Sequence, residues 1–123
     1  MLVEYEKKFI GNYLSKKHFS GGVILALSIL AICLILSQFY WDGRFVFSKF
    51  LAANGDTVFG RNEYWRLISS LFIHGDLKHL LSNSMMLYFL LYFVSSFYGK
   101  VLSCLIFIIG GSFVNWFCLL FYP

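Results

Sequence analysis

Charged side chains are scarce in this chain of 123 residues, which carries ten Lys and Arg and six Asp and Glu. Charged residues make up 13% of the chain, and hydrophobic residues make up 59%. Soluble domains average about 25% charged and about 45–50% apolar residues, because their interiors hold a limited amount of apolar surface. The composition therefore excludes an ordinary soluble domain, and the length allows one domain at most.

Patterns typical of a metal centre, a disulfide framework or a nucleic-acid interface are also missing. Cys33, Cys104 and Cys118 lie in apolar stretches and match no zinc or disulfide spacing, so we expect them to be small apolar fillers. The net charge of +4 is not accompanied by interleaved basic and aromatic residues. We attribute it instead to the basic residues that flank membrane segments on their cytoplasmic side. We therefore expect no nucleic-acid partner, no metal and no cofactor.

Three long stretches are almost free of charge and are long enough to cross a bilayer. A membrane-spanning helix needs about 20 apolar residues, and such stretches run from about 21 to 40, 79 to 98 and 101 to 122. Because the hydrocarbon holds no water to satisfy backbone polar groups, uninterrupted apolar runs favour helices. The sequence predicts an all-α membrane protein with three transmembrane helices in contact with the lipid bilayer.

The positions of the lysines predict an orientation for these helices. Four lysines fall within residues 1–18, so this part is expected to be a cytoplasmic N-terminal segment and residues 19–123 the transmembrane domain. Residues 42–78 then form an outer loop, and Gly99 lies in a tight cytoplasmic turn. The predicted protein is an integral, multi-pass protein of the plasma or inner membrane.

The outer loop does not resemble a polar linker. It contains two apolar clusters, within residues 45–51 and 67–73, separated by turns that contain glycine. This pattern predicts short amphipathic helices that lie at the membrane surface or dip into it. Backbone at that depth must be covered by protein or by a water-filled cavity, so the loop also predicts a wet cavity on the outer side.

His79 and Asn83 are polar residues at the start of the second predicted helix. Because they are four residues apart, they share one helical face, and Asp76 is a reasonable N-cap just before them. Two interpretations from the residues alone are hydrogen bonds between helices, worth about 1 kcal/mol, and a metal site shared with His74. The metal site has only two histidines and no evident third ligand.

Residues 62–83 carry a resemblance to a known family. Trp65-Arg66 precedes a Ser-x-x-Phe-x-His string that ends at His74, and His79-Leu-Leu-Ser-Asn83 opens the second helix. These motifs and their spacing resemble those of rhomboids, a family of intramembrane serine proteases. The resemblance extends closely over residues 45–99 and implies the first half of the rhomboid helical bundle.

The resemblance also implies roles for individual residues. His79 and Asn83 would donate hydrogen bonds to the oxyanion that forms when a serine attacks a carbonyl of a transmembrane substrate. Trp65, Arg66 and His74 would brace the outer loop. The alternative for Trp65 and Arg66 is an interfacial aromatic residue and a snorkelling cation.

Three features that the resemblance implies are missing from the chain. Rhomboids carry the nucleophile in a Gly-x-Ser-Gly motif on the fourth membrane helix and its histidine partner on the sixth. They also usually carry a glutamate at the position of Ser95, so a carboxylate that braces the outer loop is expected to be absent. Gly110-Gly111-Ser112 has no histidine partner and is expected to permit close helix packing, and His18 lies near the cytoplasmic boundary.

The lead hypothesis is a rhomboid-type intramembrane serine endopeptidase, present as an N-terminal piece that is inactive without the remaining C-terminal helices. One alternative is a catalytically dead, rhomboid-like adaptor that binds transmembrane clients. Another is a three-helix membrane subunit whose polar residues only hold helices together.

Overall fold

The computed structural model describes residues 19–43 and 45–122. The predicted cytoplasmic segment, residues 1–18, lies outside the described residues. Within them every regular element is helical, and three helices are long and apolar enough to cross a membrane. The prediction of an all-α membrane protein with three membrane helices is confirmed.

The first membrane helix is Phe19–Asp42, the second is Leu77–Tyr98, and the third is Lys100–Phe121. Each end lies within two residues of the predicted one. The second helix begins where it does because the Asp76 carboxylate accepts a hydrogen bond from the His79 backbone N–H at 2.8 Å. This bond satisfies one of the free donors at a helix N-terminus, so the prediction of Asp76 as the N-cap is confirmed.

The connecting segment (residues 43–76) joins the first two membrane helices through short helical pieces. Val46–Phe50 is a 3-10 helix, and Asp56–Gly60 is a π-helical turn. Arg66–Ser69 is an α-helical turn that continues as a 3-10 turn over Ser70–Phe72, and the two together are called the 66–72 helix. Helical pieces of this length depend on tertiary contacts. The prediction of short helices in this segment is confirmed.

The first and second membrane helices touch directly at Gly22. A Cβ atom at this position would lie 2.5 Å from Ser96 Oγ and 2.9 Å from the backbone oxygen of Tyr92. Cys104 is half-buried and Cys118 is exposed, but Cys33 is buried as a small apolar filler between the helices. The core of this contact consists of Ala26, Ile29, Cys33, Leu80 and Leu91.

Replacement of Gly22 by alanine is expected to push the two helices apart, because one of the clashing atoms is backbone oxygen and cannot rotate away. Overpacking of this kind lowers the free energy of unfolding by about 1–3 kcal/mol. The measurement is an unfolding titration in detergent micelles followed by circular dichroism. Gly110→Ala is the matched control, since a Cβ at Gly110 meets no atom within 4 Å. Equal stabilities of the two variants would contradict the close contact.

Ser95 lies at the far end of the second helix from the connecting segment. It is sixteen residues beyond His79, which corresponds to about 24 Å of helical rise. Its side chain is buried, its hydroxyl donates to the Leu91 backbone oxygen, and it faces Gly22. The expectation that a carboxylate missing here weakens the outer loop is wrong, because this position packs on the first helix and not on the loop.

The third membrane helix turns back from the second through a single residue. Gly99 has φ +88° and ψ 161°, a conformation that is open to glycine but costly for residues with a Cβ atom. The first part of the third helix, Lys100–Leu105, packs on the second helix, whereas its last part, Gly111–Phe121, packs mainly on the 66–72 helix. The two helices therefore form a hairpin that opens away from Gly99.

Candidate active site

His79 and Asn83 lie one turn apart at the beginning of the second helix, and both side chains are exposed. Among the described residues, no hydrogen bond involves either side chain. They therefore do not link helices within the described part of the chain, as one of the alternative interpretations required. They form a pair of free hydrogen-bond donors on one face of a helix whose start is fixed by Asp76.

His74 stands beside this pair and is held by the first membrane helix. Its backbone N–H donates to Ser37 Oγ at 3.0 Å, and its backbone oxygen accepts from Trp41 Nε1 at 2.7 Å. Its ring is 9% exposed and makes an edge contact with the His79 ring, with 5.3 Å between the ring centroids. The first helix therefore fixes the position of His74, and His74 supports one side of His79.

Burial lowers the pKa of His74 from its ordinary value of 6.5, and the neighbouring His79 lowers it further. The unfolded chain therefore binds a proton at a pH where folded His74 remains neutral, so stability is full above pH 6.5 and is lost as the pH falls below it. We expect unfolding titrations between pH 7 and pH 5 to show this loss. His74→Phe, which keeps an aromatic ring, should flatten the dependence. An unchanged slope in this variant would contradict the assignment to His74.

Arg66 is a buried cation inside the connecting segment. Its Nη1 donates to the backbone oxygens of Lys49 at 2.8 Å and Ala52 at 2.9 Å, and its Nε donates to the Glu63 carboxylate. Its guanidinium carbon also lies 5.5 Å from the centre of the Phe50 ring. The alternative that Arg66 snorkels to the surface is wrong, because the residue is 3% exposed. The guanidinium ties two parts of the segment together.

Trp65 differs from its neighbour because its side chain is 55% exposed. Its backbone oxygen accepts from the N–H groups of Ile68 and Ser69, which starts the 66–72 helix. The structure thus places its indole on the surface, where the description as an interfacial aromatic residue fits.

Metal ligands do not converge within residues 19–43 and 45–122. This part of the chain contains no group of three or more His, Cys, Asp and Glu residues that could hold an ion. His74 and His79 come together as a pair without a third ligand, so the arrangement offers hydrogen-bond donors and not a metal centre.

A family model for the rhomboid domain matches residues 61–123, which is half of the chain. The chain belongs to the rhomboid family. The matched part of this rhomboid includes Arg66, His74, His79 and Asn83. No curated protein and no solved structure matches the chain significantly.

Sequence reasoning missed three residues that position this rhomboid site. Ser37 and Trp41 hold His74 from the first helix, and Asn115 of the third helix bonds to the 66–72 helix. Asn115 could have been found from the sequence, because an amide within an apolar membrane run needs a partner. Ser37 carried no comparable signal, since a serine can satisfy itself on its own helix.

Proposed function

We propose that this chain supplies the oxyanion-binding side of a rhomboid-type intramembrane serine endopeptidase. The observation that carries the proposal is the pair His79 and Asn83, which are exposed together on one helical face without hydrogen bonds among the described residues. Free donors at fixed positions can stabilise negative charge that develops during a reaction. Membership of the rhomboid family supports a peptide carbonyl as the group that carries this charge.

In the proposed reaction a serine hydroxyl attacks the scissile carbonyl carbon, and a histidine base takes its proton. The electron pair of the carbonyl moves onto its oxygen, which accepts hydrogen bonds from a ring N–H of His79 and from Asn83 Nδ2. When the carbonyl re-forms, the amine leaves with the proton from the base, and water then hydrolyses the acyl-enzyme. The serine and the base belong to residues beyond the 123 of this chain.

The same helix supports transmembrane proteins as the substrate class. Beyond Asn83 it presents an open apolar groove of about 580 Å³. Met85 and Met86 are 69% and 76% exposed there, and methionine side chains adapt readily to different apolar partners. A substrate helix in this groove would bring its peptide bonds towards Asn83. The lining residues are Ser82, Met85, Met86, Phe89, Leu90 and Phe93.

The proposed orientation places the N-terminus in the cytoplasm of a cell with the protein in its plasma or inner membrane. The site then lies at the outer end of the second helix, and Gly99 lies at the cytoplasmic end. The basic residues before the first helix support this orientation.

The test begins with the coding sequence that follows the Pro123 codon. An in-frame Gly-x-Ser-Gly helix and a later histidine helix are expected, and the whole reading frame in liposomes should cleave a transmembrane substrate and react with a fluorophosphonate. A stop codon directly after Pro123 would contradict the protease proposal for this polypeptide.

The second candidate function is a rhomboid-like adaptor that holds transmembrane clients without cleaving them. The apolar groove favours it, because the groove could bind a client helix whether or not a nucleophile is present. Client binding that survives His79→Ala and Asn83→Ala, without any cleavage by the parent, would favour this function over proteolysis.

A further inference from the structure

Asn115 is an amide within the apolar third membrane helix, and its bonds leave that helix. Its Nδ2 donates to the backbone oxygen of Leu67 at 3.1 Å and to Ser70 Oγ at 2.9 Å. Both acceptors belong to the 66–72 helix of the connecting segment. Polar side chains in membrane helices commonly form such bonds because the hydrocarbon offers no other partner.

We propose that Asn115 is a positioning residue, which holds the 66–72 helix against the third membrane helix and thereby fixes His74 and His79. Its significance for catalysis rests on the proposed function, whereas the positioning itself does not. The proposal assigns the third membrane helix a role at a site formed by residues of other elements.

The packing around Asn115 forms a continuous stripe along the third helix. The Phe107 and Phe72 rings meet edge to face, with 5.6 Å between their centroids. Four residues further on, a Cβ atom at Gly111 would lie 2.7 Å from Leu71 Cδ2, so only glycine allows this approach. Asn115 follows after another four residues and closes the stripe with its two hydrogen bonds. The expectation that Gly111 permits close packing is confirmed.

A π-helical turn at Ile106–Gly110 helps to keep this stripe straight. In an α-helix, residues four apart drift around the axis by about 40° at each step. A π turn bonds residues five apart and so holds more residues per turn, which reduces that drift between Phe107 and Gly111. The turn therefore keeps the amide of Asn115 on the same face as Phe107 and Gly111.

The 66–72 helix needs external donors because it is too short to satisfy itself. The last four carbonyls of any helix lack partners within it, and a helix of this length is unstable alone. Arg66 and Ser69 tie one side of it to the backbone oxygens of residues 49–52. Asn115 ties the other side to the third helix, so loss of Asn115 leaves that side held only by apolar contacts.

The link from this helix to the candidate active site is two residues long. After Phe72 the chain reaches His74, whose backbone oxygen accepts from the Trp41 indole and whose ring contacts His79. Displacement of the 66–72 helix would move His74, so the Trp41 hydrogen bond reports on its position without any need for catalysis.

The experiment measures hydrogen exchange of the Trp41 indole N–H by NMR of the full chain in micelles, assigned with Trp41→Phe. In Asn115→Leu, which has a similar shape but no amide, we expect exchange about tenfold faster, while backbone amides of the second helix change less than about twofold. Asn115→Gln should restore much of the protection because it keeps the donor. Ser112→Ala is the matched control, since this hydroxyl has no partner in the described part of the chain.

Unchanged Trp41 exchange in Asn115→Leu would overturn the proposal. Equally faster exchange throughout the second helix would also overturn it, because Asn115 would then stabilise the whole bundle and not a particular segment. In the complete protease, Asn115→Leu should lower kcat about tenfold with KM nearly unchanged. If no variant cleaves any substrate, the parent included, the proposed function fails while the exchange result still decides the role of Asn115.

Discussion

Asn83→Ala is expected to lower the kcat for peptide-bond cleavage about 100- to 1,000-fold, which is the usual effect of removing one oxyanion donor. KM should change little, because the hydrogen bond forms fully only when negative charge has developed on the carbonyl oxygen. The variant should fold normally, since the Asn83 side chain is exposed and makes no hydrogen bond among the described residues. His79→Ala should give a loss of similar size.

The measurement is steady-state cleavage of a transmembrane substrate in liposomes by the protein that also carries the serine and histidine. Ser84→Ala is the control, because the Ser84 hydroxyl bonds only to the Leu80 backbone oxygen within its own helix. The two donors act on one oxygen, so the double variant should lose less than the product of the single losses. A loss of only about twofold for Asn83→Ala would refute the assigned role, because it is far below the effect of an oxyanion donor.

Arg66→Ala is expected to lower the free energy of unfolding by about 3–5 kcal/mol, the typical cost of removing one partner from a buried ion pair. The change leaves the partly buried Glu63 carboxylate without its cation and frees the carbonyls of Lys49 and Ala52. Arg66→Lys should recover only part of this loss, since an ammonium group cannot reproduce the planar arrangement of donors.

Arg61 offers a matched control in the same segment. It pairs with Asp56 at 3.1 Å, but the two side chains are 63% and 72% exposed. Exposed ion pairs contribute little, so Arg61→Ala should cost less than about 1 kcal/mol. Unfolding titrations of both variants in one detergent compare them directly. Similar losses would show that burial does not set the importance of Arg66.

The three membrane helices could be predicted because apolar length is a property of each run by itself. The helix ends differed slightly because helices follow backbone hydrogen bonds and not apolarity alone. The first helix continues to Asp42, beyond the last apolar residues. The N-cap at Asp76 could be predicted since it acts over three residues of the same segment.

The supports of the site could not be predicted because they join distant parts of the chain. Trp41 looked like an interfacial aromatic residue, yet its indole bonds to His74, 33 residues away. Asn115 reaches a carbonyl 48 residues before it. Such pairs depend on how helices cross, and the contact at Gly22 that sets one crossing resembles any other glycine in a sequence. His79 and Asn83 were found through their motif and not through their surroundings.

The hairpin that opens away from Gly99 has a consequence for the order of assembly. Its two arms are separated by one residue, so closing this loop costs little conformational entropy, and contacts between near neighbours in sequence form fast. The first helix must instead return across the whole connecting segment before it reaches the second at Gly22 and the 66–72 helix at Phe72. The open end of the hairpin gains its filling only then. The candidate active site should therefore be the last part of the chain to become ordered during biogenesis.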